Sequence, residues 1–425
     1  MRVLYLAHRV PYPPNKGEKI RAYHHLRHLA TLADVHLLAF ADRPEDEPWR
    51  SVLGQHCRSV ELVRLRPRSG VARGVLSLLR GHSLSEGYFG DAAMWRAVRR
   101  TVTAHPFDVV WASSLPMAQY LSLVTASRRI VDFVDVDSEK WWQFAGHARV
   151  PLRWAYAIES RRLRRFEKQI SATAERVLFA SDAEAALFQS FVPAGVPVQV
   201  IPNGVDTALF HPQHAPATPR GAKMLFVGTL DYRPNVDAVL FFVREVLPLV
   251  RAAVPAARFT AVGHRPARRL VRSMRSVHDG VEIAGSVADV RPYFAATDVF
   301  VAPLRLGRGV QNKVLEAMAM GVPVIATPLA VEGLAVQDRV HVLVAETSRQ
   351  LAAAVIELLR DAELCRRLAD NALRLVRDEY RWQRAERAID ACLQSRSAVA
   401  RRATRGVSGR HHRRTRRADH GRERR

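Results

Sequence analysis

LRLGRGVQNKVLEAMAMGVPVI, Leu304 to Ile325, decides how this chain is read. The apolar run Val299 to Leu304 supplies a buried strand, a glycine-bearing loop follows, and the pattern from Lys313 to Met320 predicts a helix. Gly321 ends that helix, and Pro323 is a stop signal. The order is therefore strand, turn, helix N-terminus. Backbone N–H groups around Gly309, Val310 and Gln311 have no helical acceptor in such a turn, so they are free to cradle an anion. Lys313 opposes the macrodipole from the first helical turn, which a negative ligand in front of it would explain. Glu316 lies three residues on along the same face, where a carboxylate can accept hydroxyl hydrogen bonds. A solvated Lys/Glu pair has the same spacing, so this stretch alone leaves both readings open.

The same alternation extends outward in both directions. Strands are expected at Val3–Ala7, Val35–Phe40, Val60–Leu65, Asp108–Ala112, Arg129–Asp135, Arg176–Ala180 and Pro197–Ile201. Helices are expected from Gly17, at Met94–Ala104, at Leu163–Ile170 and from Ala183, while Val71–Leu84 reads only as an apolar and basic stretch. The pattern restarts at Met224–Gly228 and continues through Arg258–Val262, Val281–Ile283, Val299–Ala302, Val322–Ala326 and Val340–Val344. Three helices close it: Ser348–Leu359, Ala362–Val376 and Trp382–Gln394. This predicts an α/β fold of two Rossmann-like doubly wound parallel sheets, with a boundary in the Pro-rich run between them. Ligands of such sheets bind beyond the carboxyl ends of the strands, so the site is expected in the interdomain cleft.

With 425 residues and 48% apolar content, the chain is long enough for two cores. Cys57, Cys365 and Cys392 show no paired spacing, so neither a disulfide framework nor a zinc site is expected, and a cytoplasmic setting is. No apolar run is long enough for a membrane span, and the N-terminus lacks the core of a secretion signal. Net charge is +24, of which residues 401–425 contribute +9 through eleven arginines against Asp419 and Glu423, leaving +15 on the body. The Arg-rich segment 397–425 is expected to be disordered. The basic body is suited to anionic substrates and to an anionic membrane leaflet, although a GC-rich genome also produces arginine excess.

Two segments, PNGVDTALFHP and the opening stretch, make the chain resemble the GT-B-fold glycosyltransferases of family 4 from Met1 to about Gln394. RVPYPPNKGEKIRA, DFVDVDSEKW, FVGTLDYRPNVDAV and PLRLGRGVQNKVLEAMA bring it close to sugar transferases associated with PEP-CTERM/exosortase exopolysaccharide loci. The resemblance implies a glycosyltransferase of hexosyltransferase type. It would move a sugar from a nucleoside-diphosphate donor to a glycan or lipid-linked acceptor, with retention and without a bound metal or other cofactor. It implies domains at 1–202 (acceptor side) and 221–380 (nucleotide-sugar side), joined by a linker at 203–220. A helix at 381–396 would return towards the first domain. Glu316 matches the carboxylate that holds the donor ribose, whereas the second family glutamate, eight residues earlier, is here Arg308. Gly17 matches the glycine of the first loop, with Arg21 one turn on. Gly228 and Thr229 stand where the family approaches the phosphates, but the basic residue usual there is displaced. Arg233, Arg305 and Arg308 are candidates to replace it. Val281 to Gly285 matches the segment that reads the nucleobase, and Gly309, Val310, Gln311 and Asn312 line the phosphate turn.

In place of the family's pocket histidine, the first domain offers VDFVDVDSEKW, and Asp135 is the expected sugar contact. Lys313, Glu316 and Asp135 are thus the expected catalytic residues. A run of Asp at a strand end is also an ordinary cap signal. Trp141, Trp142 and Trp154, beside Arg153, Arg161, Arg162, Arg164 and Arg165, are candidates for an anionic membrane surface, or else simply cover the sheet. A nucleotide-sugar epimerase shares the architecture. An NAD enzyme is disfavoured because the third fingerprint glycine is Asn312. Nucleic-acid binding rests on the Arg-rich segment alone, so nucleic acid is not expected as the main partner.

Overall fold

In the computed structural model, which describes residues 1–126, 128–212, 221–274 and 280–394, the chain forms two parallel sheets covered by helices. The seven strands of the first sheet are β1 (Arg2–Ala7), β2 (Asp34–Ala41), β3 (Ser59–Arg64), β4 (Val109–Ser113), β5 (Arg128–Val134), β6 (Arg176–Phe179) and β7 (Val198–Val200). They run in the order β3-β2-β1-β4-β5-β6-β7. The second sheet holds β8 (Lys223–Val227), β9 (Arg258–Val262), β10 (Val281–Gly285), β11 (Val299–Ala302), β12 (Val324–Ala326) and β13 (Leu343–Val344), in the order β10-β9-β8-β11-β12-β13.

Each sheet reverses its winding beside its first strand. Val3 pairs with Val35 on one side and Val109 on the other, and Met224 with Phe259 and Val299. The crevices that open there at the carboxyl ends of β1 and β8 are where doubly wound sheets take ligands. Central strands covered on both faces must be apolar throughout, and β4 and β11 are buried at every position. The 203–212 connection enters the second core through Val205, and Val205 N–H donates to Tyr380 O at 2.7 Å.

The last helix, Trp382–Gln394, crosses back. Trp382, Ala385, Ile389 and Cys392 join Val3, Tyr5, Leu26 and Trp111 in one first-domain cluster, and Trp382 stacks on His24 at 3.9 Å. Gln199 Nε2 donates to Ala388 O at 2.9 Å, and Arg128 donates to Cys392 O at 2.7 Å, so the helix is tied to the sheet edge as well as packed on it.

Two differences from the expected elements have clear causes. The stretch around Val71 is a helix, Pro67–Leu79, whose glycines rather than its aliphatics face inward. The strand expected from Val322 begins only at Val324, because Gly321 at φ +69° and Pro323, which has no N–H, hold the chain in a turn. The sequence expectations for 213–220 and 397–425 fall outside the described residues.

Candidate active site

After β11 the chain is pinned by Thr327, whose hydroxyl donates to Leu304 O at 2.6 Å. Gly307 and Gly309 then take φ of +112° and +78°, conformations that cost a side-chain-bearing residue steric strain. At Gly309 space forbids a side chain too, because a Cβ there would lie 2.2 Å from Asp135 Oδ1 of the first domain. The turn feeds the helix Asn312–Ala319, and the Gln311 side chain folds back to donate to Gly309 O at 3.1 Å. Among the described residues, the backbone N–H groups of Gly309, Val310 and Gln311 have no protein acceptor. Successive free amides before a helix form an anion-binding concavity.

Lys313 points from this helix to the end of β8. Its Nζ donates to Asn235 Oδ1 at 2.5 Å, lies 4.7 Å above the Phe226 ring, and would be 3.1 Å from a Cβ on Gly228. Asn235 is itself fixed, since its Nδ2 donates to Thr229 O at 2.9 Å. Lys313 thus brings a cation to the end of β8 from a different element, while Arg233, which follows β8, turns away. Loss of hydration pushes the Lys313 ammonium down to about 7, opposed by the Glu316 charge. Loss of hydration likewise pushes Glu316 up to about 7, opposed by Lys313. Both side chains are half-buried, and each is the charge that acts on the other.

The first-domain wall faces this pair. A register shift between Asp132 and Val134 ends β5, and Val134 takes φ +70°, an outlier for a β-branched residue. The bulge aims Asp135 at Gly309 and leaves Asp135 Oδ1 buried with no hydrogen-bond partner. Burial first, and the Glu184 charge next, push the Asp135 carboxyl up to about 7. Lys140 bonds Asp137, three residues before it in the same helix, and its charge also acts on Asp135 and Tyr232. His8, directly after β1, is pushed down to about 4 by burial and then by Arg9, and it feels Glu18 and Asp137. It is therefore a neutral imidazole near pH 7.

Other expected residues are placed differently. Arg21 is 1% exposed, and its guanidinium is spent on Asp132 (2.8 Å), Ile201 O (2.7 Å) and Asn203 Oδ1 (2.9 Å). It has no donor turned to the cleft and reaches it only through Asn203, whose Nδ2 donates to Asn312 Oδ1 at 3.1 Å. Arg233 turns to the first domain, donating to His147 O at 3.2 Å and lying 5.4 Å from the Phe144 ring. Arg305 pairs with Asp237 at 3.0 Å on the surface. Arg308 is claimed by Glu184 of the first domain at 2.9 Å and by Glu332 at 3.6 Å, so its charge is already neutralised. Gly17 opens the first long helix, Gly17–Leu32, with free space before it.

Gly285 closes β10 at φ +68° and accepts from Gly263 N–H at 2.9 Å, while a Cβ on Gly263 would collide with Gly228 O at 1.7 Å. Gly228, Gly263 and Gly285 thus form a rim without side chains at the ends of β8, β9 and β10. Val281 sits at the opposite end of β10, away from that rim.

The sequence reading did not single out His8, Lys140, Glu184, Tyr232, Asn235 or Gly263. His8 was the most accessible of these, since it directly follows the first strand. The others are brought in by contacts between distant parts of the chain, which no local pattern encodes.

Comparison with known proteins adds a family signal to this geometry. Residues 17–204 match the model for a glycosyl transferase 4-like domain, and residues 221–361 that for glycosyl transferases group 1. The lipopolysaccharide core biosynthesis mannosyltransferase LpcC of Rhizobium leguminosarum is 27% identical over 261 residues, 58% of this chain and 72% of its own. A GDP-mannose-dependent phosphatidylinositol monomannoside mannosyltransferase of Mycobacterium tuberculosis is 26% identical over 306 residues, 67% of this chain and 75% of its own. In fold, the chain is similar to Anabaena HepE, solved with UDP and glucose, at a TM-score of 0.66 with 17% identity, covering 92% of this chain and 99% of that one. The sucrose-phosphate synthase of Thermosynechococcus elongatus gives a TM-score of 0.69 with 18% identity, covering 93% and 98%.

Proposed function

Because this chain belongs to the GT-B-fold, family-4-like glycosyltransferases, we propose that it moves one hexose from a nucleoside-diphosphate donor to a hydroxyl of a glycan or lipid-linked glycan, with retention. The observation that carries this reading is the placement of Lys313 Nζ against Gly228, beside the unpaired amides of Gly309, Val310 and Gln311. When the sugar–phosphate bond breaks, negative charge builds on the departing diphosphate. Fixed donors in a water-poor crevice stabilise that charge without reorganising. Glu316, one helical turn beyond Lys313, accepts from the donor ribose hydroxyls. The side-chain-free rim of Gly228, Gly263 and Gly285 leaves room for the nucleoside. Asp135, against Gly309, contacts the transferred sugar from the first domain.

The acceptor belongs to cell-surface polysaccharide assembly in this reading. Supporting it are the lipopolysaccharide-core and phosphatidylinositol mannosyltransferase relatives, a 44.6 kDa relative from a Klebsiella pneumoniae cps region, and the resemblance of four segments to PEP-CTERM-associated transferases. A ligand that binds only the folded state raises its melting temperature. Thermal shift with UDP, GDP, ADP and NAD is therefore expected to show a rise with one nucleoside diphosphate, abolished in Glu316→Ala. A response to NAD alone, or none to any diphosphate, overturns the reading.

A further inference from the structure

The helix Pro67–Leu79 is turned inside out for a protein in water. Gly70 and Gly74 are buried on its inner face, where a Cβ would meet the Tyr88 ring at 2.8 Å and Leu84 at 3.0 Å. On the partner helix Leu84–Phe89, a Cβ on Gly87 would strike Ser77 Cβ at 2.3 Å. The two helices are thus locked by glycines. The branched side chains of Val71, Val75 and Leu79 recur every fourth residue on the outer face, and Leu79 is 81% exposed.

A second outward apolar group stands on the neighbouring helix Leu152–Thr173 and the turn before it, with Val150 69% and Trp154 66% exposed beside Leu152 and Ile158. Arg162, one turn after Ile158, donates to Leu78 O and to His82 O (2.9 Å), and Glu159 accepts from Leu84 N–H at 2.6 Å. These bonds fasten the two apolar helices to each other through the Leu78–Leu84 turn.

The charge carried by these two stretches themselves has one sign. No Asp or Glu occurs between Glu61 and Glu86, nor between Lys140 and Glu159. Arg66, Arg68, Arg80, Arg149, Arg153 and Arg161 are exposed there and, among the described residues, have no ion-pair partner. Exposed aliphatics and a tryptophan ringed by unpaired arginines match the two layers of an anionic bilayer surface, acyl chains beneath and phosphates above.

We propose that this face docks on an anionic membrane leaflet, with Val75, Leu79 and Trp154 entering the acyl boundary and the surrounding arginines meeting lipid phosphates. This would bring the protein to the leaflet that holds the lipid-linked acceptor, a link that rests on the proposed function. Docking is measured without turnover, so failure of either reading is seen separately.

The test is flotation of the full chain with phosphatidylcholine vesicles with and without phosphatidylglycerol, at low and high salt. Wild type is expected to float with the anionic vesicles and to keep part of its binding at high salt, where purely ionic contacts are screened. Leu79→Glu with Trp154→Glu is expected to lose binding at least roughly tenfold at unchanged melting temperature. Neutralising Arg149 and Arg153 to Gln is expected to lose roughly fivefold for each charge, on anionic vesicles only. Trp154→Phe is expected to remove most of the tryptophan quenching by brominated lipid. The proposal is overturned if the Glu variant floats like wild type, which would assign binding to the Arg-rich segment 397–425. It is equally overturned if wild type stays unbound and instead self-associates through this face in sedimentation.

Discussion

Asp132 and Asp135 stand three residues apart at the end of β5, and the fold treats them in opposite ways. Asp132 is fully buried and fully paired, taking two guanidinium contacts from Arg21 and facing His25 Nδ1 at 3.3 Å. Burial alone would raise its carboxyl, but the Arg21 charge and His25 hold it well below the usual carboxylate range. Asp135, past the Val134 bulge, keeps a buried oxygen with no partner and rises to about 7. Burial of a charge with complete pairing makes a structural joint, here between the first domain and the 203–212 connection through Ile201 and Asn203. Burial without pairing leaves the Asp135 carboxyl desolvated, with an oxygen free to take a partner.

The comparison is broken most forcefully at the paired member. Asp132→Asn strands the Arg21 guanidinium in the core, and denaturant unfolding is expected to show a loss of about 3–5 kcal/mol. A loss below about 1 kcal/mol would mean that the pair is not holding the first domain together. Trp382→Ala, which removes the ring stacked on His24, is expected to cost a similar amount, about 3–5 kcal/mol, although it lies far from either sheet's ligand-binding edge in sequence.

Next comes the desolvated lysine. Lys313→Met keeps length and apolar volume but removes the charge, so kcat/KM is expected to fall about 10²–10³-fold with no loss of melting temperature. Unimpaired turnover would remove Lys313 from the diphosphate site. Nucleoside diphosphate affinity should also carry its titration. The Lys313 pKa near 7 in the free protein rises when an anion binds, so binding is fully developed below pH 7 and weakens as pH climbs above it. Titration calorimetry in buffers of different ionisation enthalpy should register proton uptake above pH 7, absent in Lys313→Met.

A smaller effect on stability sharpens the contrast at Asp135. Its folded value, about 7, exceeds the unfolded one, so the native state holds a proton that the unfolded chain has lost between about pH 4 and 7. Desolvation therefore penalises folding increasingly as pH rises across that window and fully above it. Asp135→Asn is expected to melt at or above wild type at pH 8, the difference vanishing near pH 4, while turnover falls. A clear loss of stability at pH 8 would show that Asp135 is paired after all. Smallest of all, Arg305→Gln, which removes an exposed pair with Asp237, is expected to change stability by less than about 1 kcal/mol and leave turnover unaltered.

The two aspartates also mark where sequence reading stops. DFVDVD shows a strand and its end, because alternating apolar residues and a following cap signal are local. It does not show that Asp132 is spent on an arginine 111 positions away while Asp135 keeps an oxygen with no partner. Arg21 was misread for that reason, since a basic residue one turn into a helix behind a glycine looks the same whether it faces a ligand or a buried carboxylate. The central strands of both sheets were legible because parallel strands buried on both faces must be apolar throughout. The helix Pro67–Leu79 resisted assignment because its large apolar residues face out and its glycines in, the reverse of the rule by which helices are recognised. The pairing of Lys313 with Glu316 was legible because both lie within one turn of one helix. The place Lys313 fills beside Gly228 was not visible, because it depends on how β8 and β11 lie side by side.

The return of Trp382–Gln394 to the first sheet has a consequence for the order of assembly. During synthesis Val3, Tyr5 and Leu26 emerge first, yet the cluster they belong to is completed only by Trp382, Ile389 and Cys392, near the far end of the described chain. The second domain, whose cluster spans Val205 to Tyr380, is finished before the first can be. A nascent chain halted anywhere before Trp382 therefore leaves uncovered the part of the first sheet that Trp382, Ala385, Ile389 and Cys392 close, and that part depends longest on protection from aggregation.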